Sequence, residues 1–264
     1  MTASLFSFDP RLLLLVAARV TGVLFLAPGL SGRALPLKVR ATLVTVVALA
    51  LLPTQVGLWE SSDASRAMSG LTTLPLFAAC LCREAMLGLG LGFGVKLLVV
   101  GLRNVGQLAS QAAGWGNSEG IETGDDPASP LARLLELTGI AVYFAVGGHR
   151  QLLGVLLESY AWFPLGDIEL PSSLWASLLT LLTQTSEWVL RLSAPVLVAT
   201  LSATLVAGLL QRALPQLETY TWASSANTLL VLAVLTFSAG AIGLLFPAEL
   251  ELAWETLRGG AAHG

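Results

Sequence analysis

Apolar residues gather in six blocks along the chain, at about 11–29, 39–58, 71–107, 131–163, 173–211 and 224–247. Runs of this length predict helices, and a helix that crosses a bilayer needs about 20 apolar residues. The first, second and sixth blocks fit that measure. The third and fifth exceed it. Leu174 to Leu210, drawn as one helix, reaches roughly 55 Å, against a hydrocarbon core of about 30 Å. Each long block is nevertheless too short for two spans and a turn. The pattern therefore predicts an all-α, membrane-associated fold of long kinked helices arranged as helical hairpins, the fifth bent near Pro195.

Inside the third block, Gly88, Gly90, Gly92 and Gly94 alternate with apolar residues. On a helix they form two overlapping GxxxG pairs on adjacent stripes, Gly88 with Gly92 and Gly90 with Gly94. Such stripes let neighbouring backbones come into van der Waals contact. The same block carries Arg83, Glu84 and Lys96. In the fifth block, Glu187 and Arg191 stand four apart in the acid-before-base order that favours pairing along a helix. Charges within apolar segments call for protein or water beside them, so these five are expected to be buried against protein. Arg19, Glu136 and Glu158 also interrupt apolar runs; for each alone the simpler reading is an interfacial or snorkelling side chain, but taken together their number favours protein-facing surfaces.

Composition agrees with a chain buried in a membrane or an assembly. Of 264 residues 55% are hydrophobic and only 12% charged, with mean hydropathy +0.75; soluble proteins carry about 25% charged residues. Net charge is −3 and no basic cluster suggests nucleic acid. Cys80 and Cys82, two apart on a helix, point to different faces and read as small hydrophobes, not a disulfide. The N-terminus carries Asp9 and no positive charge before the first apolar run, so that run reads as a retained segment. Arg33, Lys38 and Arg40 favour a cytoplasmic first connection. Simple alternation would put the acidic third connection on the same side, a mild conflict that hairpins without full spans would produce.

That third connection, Gly106 to Pro130, is the longest irregular interior segment. Long loops in compact proteins are commonly functional. Asp126-Pro127 supplies a helix-start signal before the fourth block, and Gly147-Gly148-His149 marks a helix break. Signatures of chemistry are missing. The glycines fail the GxGxxG spacing, because Phe93 and Val95 stand where glycine is required. Two distant histidines and no cysteine cluster make no metal site, the acidic turn lacks the ligand spacing of a calcium loop, and no nucleophile accompanies His149. The chain reads as neither an enzyme nor a cofactor or metal binder.

Four segments resemble the FliR family of flagellar type III export-gate proteins: REAMLGLGLGFGVKLL, VGQLASQAAGW, DDPASPLARLLELTGIAVYFAVGGHRQLL and ESYAWFPLG. Upstream, PGLSGRALPLKVRATLVTVVALALLP is similar to the family's first connection and second hydrophobic segment. The C-terminal third departs from the pattern, with Glu218 where the family usually has asparagine and Asn227 where it commonly has lysine.

The resemblance implies a single FliR-like domain over residues 1–264, seated in the bacterial inner membrane at the flagellar basal body. There FliR-like proteins join FliP-like and FliQ-like subunits, with an FlhB-like export protein as a further partner. The assembly is the entry channel for unfolded exported proteins. The family's central loop helps to plug the closed channel, and by position it corresponds to Gln111, Ala112, Ala113, Gly114, Trp115, Gly116 and Asn117. Glycines give such a loop low-cost mobility, and Trp115 supplies bulk. Two competitors stand beside this reading. The virulence injectisome counterpart shares the role with other cargo. A small-molecule secondary transporter would require inverted repeats and a midplane polar site, and no repeat is evident.

Overall fold

The computed structural model describes residues 10–30, 36–61, 74–112, 128–165, 172–213 and 219–262. Among these there are seven helices and no strand: α1 (Pro10–Leu26), α2 (Leu37–Ser61), α3 (Leu74–Ala112), α4 (Pro130–Ala145), α5 (Gly148–Trp162), α6 (Ser172–Ala213) and α7 (Thr219–Ala262). The third and fifth apolar blocks are single long helices, and α6 runs through Pro195 without a break in helical assignment. The sixth helix block extends well beyond its apolar core, through Pro247 to Ala262. Among the described residues three stretches are long and apolar enough to cross a membrane: Leu37–Gln55, Leu74–Gln111 and Trp175–Val206. The helices α4 and α5 reach such a length only as a pair. At 17 residues, α1 is shorter than the sequence pattern suggested.

The fourth block gives two helices because Gly147 adopts a left-handed conformation, φ 76°, which glycine reaches at no steric cost. Val146 N–H still donates to Val142 O, closing α4, and Arg150 N–H donates to Gly147 O, opening α5. The α4 start is fixed by Ser129, whose hydroxyl accepts from Ala132 N–H at 3.2 Å, and by Pro130 in the first turn. The Asp126-Pro127 signal lies outside the described residues.

The chain divides into two compact units, Met1–Lys96 with Gly147–Leu181 and Leu252–Gly264, and Leu97–Val146 with Leu182–Glu251. In the first unit α1 packs against α2, and the buried side chains include Leu15, Val16, Val20, Leu52, Leu87 and Leu156. The end of α7 belongs to this unit and lies along α5. Trp254 Nε1 donates to Gln151 Oε1 at 3.1 Å, and Arg258 holds Glu158 through two bonds of 2.8 and 3.0 Å. In the second unit α3 and α4 pack closely: a Cβ on Gly106 would sit 2.6 Å from Ala132 Cα, and one on Gly139 would meet the Leu102 side chain. Gln107 ties the two together by accepting from Ser129 N–H at 3.1 Å. Trp188 and Phe246 pair with ring centroids 6.1 Å apart.

Candidate functional site

Arg19 and Glu84, on α1 and α3 of the first unit, are completely buried, and Arg83 beside them is 3% exposed. Burying charge is unfavourable unless each ion is paired and its remaining hydrogen-bonding capacity filled. Here it is filled. Arg19 Nε donates to Glu84 Oε2 at 2.5 Å, Nη1 to the backbone and hydroxyl oxygens of Ser159 at 3.1 and 3.2 Å, and Nη2 to Phe163 O at 2.9 Å. Its guanidinium lies 4.2 Å from the centroid of the Tyr160 ring, a cation–π contact. Arg83 Nη1 donates to Glu84 Oε1 and to Pro164 O, both at 3.1 Å.

The carbonyls of Ser159, Phe163 and Pro164 belong to the last turn of α5 and the chain just after it. Helix C-termini leave carbonyls unpaired and carry partial negative charge. Ser159 O already accepts from Phe163 N–H and takes Arg19 as a second donor, while Phe163 O and Pro164 O accept from Arg19 and Arg83. The two arginines place positive charge at this end of α5 while sharing one carboxylate, so a single charged cluster joins α1, α3 and α5.

The close approach that lets Arg19 reach Glu84 comes from glycine. A Cβ on Gly88 would overlap the backbone oxygen of Arg19, one on Gly92 would lie 2.7 Å from Val23 O, and one on Gly22 would collide with the Ala85 carbonyl. These three positions bring the backbones of α1 and α3 together. The other stripe behaves differently. Gly94 faces the side chains of Leu181 and Leu257. Gly90 lines an apolar cavity of about 280 Å³ with Leu26, Met86, Leu89, Phe93, Trp175 and Leu178. Around Gly94 the Leu181 and Leu257 side chains, not a neighbouring backbone, lie nearest.

Of the five charges expected in buried positions, the fold gathers Arg83 and Glu84, while Lys96 is partly buried. Glu187 and Arg191 form their i,i+4 pair at 3.6 Å, but their side chains are 61% and 78% exposed. Burial against protein is the expectation for this pair, and within the chain its side chains stand exposed. Near it on α7, burial pushes the Glu249 carboxyl above its ordinary range, an effect Arg191 opposes. Cys82 is exposed while Cys80 is buried, since residues two apart on α3 face different ways.

Gln111 and Ala112 are the last residues of α3, not loop; Ala113, Gly114, Trp115, Gly116 and Asn117 lie outside the described residues, as do Glu218 and His263. The central member of the charged cluster, Arg19, taken alone in the sequence is indistinguishable from an interfacial arginine. Its signals were an arginine deep in an apolar run and a glycine three residues on, but the carboxylate it needs is 65 positions away. Among the described residues no group of three His, Cys, Asp or Glu side chains has the proximity a metal site requires.

The model of the family "Bacterial export proteins, family 1" matches residues 11–253. The Flagellar biosynthetic protein FliR of Caulobacter vibrioides is 24% identical over 250 residues, covering 93% of this chain and 95% of that protein. The FliR of Escherichia coli K12 is 25% identical over 212 residues, with 76% and 74% covered, and that of Pectobacterium carotovorum is 22% identical over 207 residues, also 76% and 74%. The family match runs through both compact units and through every residue of the charged cluster, and the chain belongs to the bacterial export proteins of family 1, the FliR family.

Proposed function

We propose that this protein is a subunit of the flagellar type III export gate. In this reading it assembles in the bacterial inner membrane with FliP-like and FliQ-like subunits, beside an FlhB-like protein, and the assembly passes unfolded flagellar subunits. The observation that carries the proposal is the family match over residues 11–253, with one FliR relative aligned along 93% of the chain.

The physical features support an assembled state over a solitary one. Large apolar side chains stand exposed along α6, among them Leu190, Leu201, Leu205 and Leu209, on a helix that also exposes a charged pair. The segment 113–117 following α3 takes the role of plug, with Trp115 as its bulky element.

Affinity purification of the full chain from cells in mild detergent, with identification of co-purifying polypeptides, tests the assignment. Recovery of FliP-like and FliQ-like chains is expected. A clean monomer that transports a small solute would overturn it.

A further inference from the structure

The cavity lined by Gly90 lies wholly in the first unit, between the end of α1, the middle of α3 and the start of α6, and every residue of its lining is apolar. A cavity without polar groups gives water nothing to bond and takes apolar occupants instead. A void of about 150 Å³ already accepts a benzene ring, and this one, at about 280 Å³, has room for a longer chain. Met86, Phe93 and Trp175 line it and are exposed in this chain, which gives the cavity a mouth.

One end of the cavity is basic. The helices α1 and α3 run in the same direction, with Gly88 against Arg19 and Gly92 against Val23 and Leu26. The last residue of α1, Leu26, therefore marks the Phe93 end of the cavity. There the Arg40 guanidinium, from the first turn of α2, lies 6.0 Å from the centroid of the Phe25 ring. Lys38 is exposed on that same turn, and Lys96 is partly buried one turn of α3 beyond Phe93. The apolar stretch Leu37–Gln55 begins at this turn. A bilayer crossed by α2 thus has Lys38 and Arg40 at its surface, with the cavity at the depth where acyl chains start.

We propose that this cavity holds one acyl chain of an anionic phospholipid whose phosphate meets Lys38 and Arg40. The two ends decide the chemistry. An apolar pocket selects hydrocarbon, and a basic rim at the membrane surface selects an anionic headgroup. A zwitterionic headgroup would bring its own ammonium among these cations and lose part of the attraction. The inference rests on the chain lying in a membrane and holds whichever secretion assembly it joins.

The test is native mass spectrometry of the full chain in mild detergent, given phosphatidylglycerol and phosphatidylcholine of equal chain length in equal amounts. Phosphatidylglycerol is expected to be retained at least about fivefold better, the factor that one cation near an anionic headgroup supplies. Lys38→Gln is expected to lower its retention about fivefold and to leave phosphatidylcholine unchanged. Leu89→Trp, which fills the cavity, is expected to remove both lipids. Lys38 is exposed, so its variant decides the question even where Leu89→Trp fails to accumulate. Glycerol phosphate alone is expected not to displace the lipid, and the complex with co-expressed FliP-like and FliQ-like partners is expected to keep it.

Equal retention of the two lipids, no change with Lys38→Gln, or normal retention by a folded Leu89→Trp protein would each overturn the proposal. Displacement by glycerol phosphate would make this a site for free phosphate esters. Lipid lost on assembly would make the cavity a seat for a partner's side chains. Either result removes the lipid site and leaves the export assignment standing.

Discussion

Arg19 Nε lies 2.5 Å from Glu84 Oε2, and neither side chain reaches solvent. The cluster around this bond holds two arginines and one carboxylate, which makes the three residues unequal. Replacing Arg19 by Met leaves Glu84 still bonded to Arg83. Replacing Glu84 by Met leaves two buried cations side by side, at a loss of about 3–5 kcal/mol. Glu84→Met is therefore expected to lower the temperature at which the detergent-solubilised protein aggregates by more than Arg19→Met does. The double replacement, with a single cation left near Pro164 O, is expected to fall below Glu84→Met in damage. Equal shifts for the two single variants would show that the cluster's charge balance is not what sets its stability.

The contact between α1 and α3 depends on missing side chains. A methyl group at Gly88 would overlap the Arg19 carbonyl, and backbone cannot move aside as a flexible side chain can. Gly88→Ala is expected to separate the two helices, break the Arg19–Glu84 bond with them and abolish accumulation of folded protein. Gly154 on α5 has nothing within 4 Å of its added Cβ. There alanine is expected to raise stability by about 0.5–1 kcal/mol through its better helix propensity. Aggregation temperature in detergent separates the two outcomes, and a Gly88→Ala protein as stable as wild type would remove the close-crossing argument.

What was legible in the sequence divides along local and non-local lines. Helix positions followed from apolar block lengths, and the break at Gly147 from a paired glycine, because both depend on neighbours within a few residues. The Gly88/Gly92 stripe was readable as a packing surface, yet nothing near it indicated that Gly22 would supply the opposing face. Arg19 could not be told from a snorkelling arginine, since its carboxylate and carbonyl partners stand 65 to 144 positions away. The spacing of Glu187 and Arg191 revealed their pairing but not their exposure, because exposure depends on what other helices cover α6.

The plug assignment makes a prediction about permeability. If residues 113–117 fill the constriction of the closed assembly, replacing them with serines of equal number removes the Trp115 bulk while keeping chain length. Cells expressing that variant with its partners are expected to leak ions, read as a drop in membrane potential or as growth sensitivity to high external salt. The effect should be absent when the variant is expressed without partners, since no pore is then formed. Unchanged permeability in the co-expressing cells would count against the plug.

Two contacts fasten the end of α7 to α5, and their environments rank them. The Arg258–Glu158 pair has good two-bond geometry, but its side chains are 48% and 45% exposed. Pairs this open to solvent contribute about 0–1 kcal/mol. Trp254 is 4% exposed and also donates to Gln151. Truncating a buried tryptophan costs about 3–5 kcal/mol, and Gln151 would lose its donor as well. Arg258→Ala is thus expected to leave protease resistance of the C-terminal segment nearly unchanged, with any small loss reproduced in wild type by raising salt. Trp254→Ala is expected to expose that segment to rapid cleavage at any ionic strength. If Arg258→Ala loosens the segment as much as Trp254→Ala does, electrostatics and not burial would be what seats the end of α7.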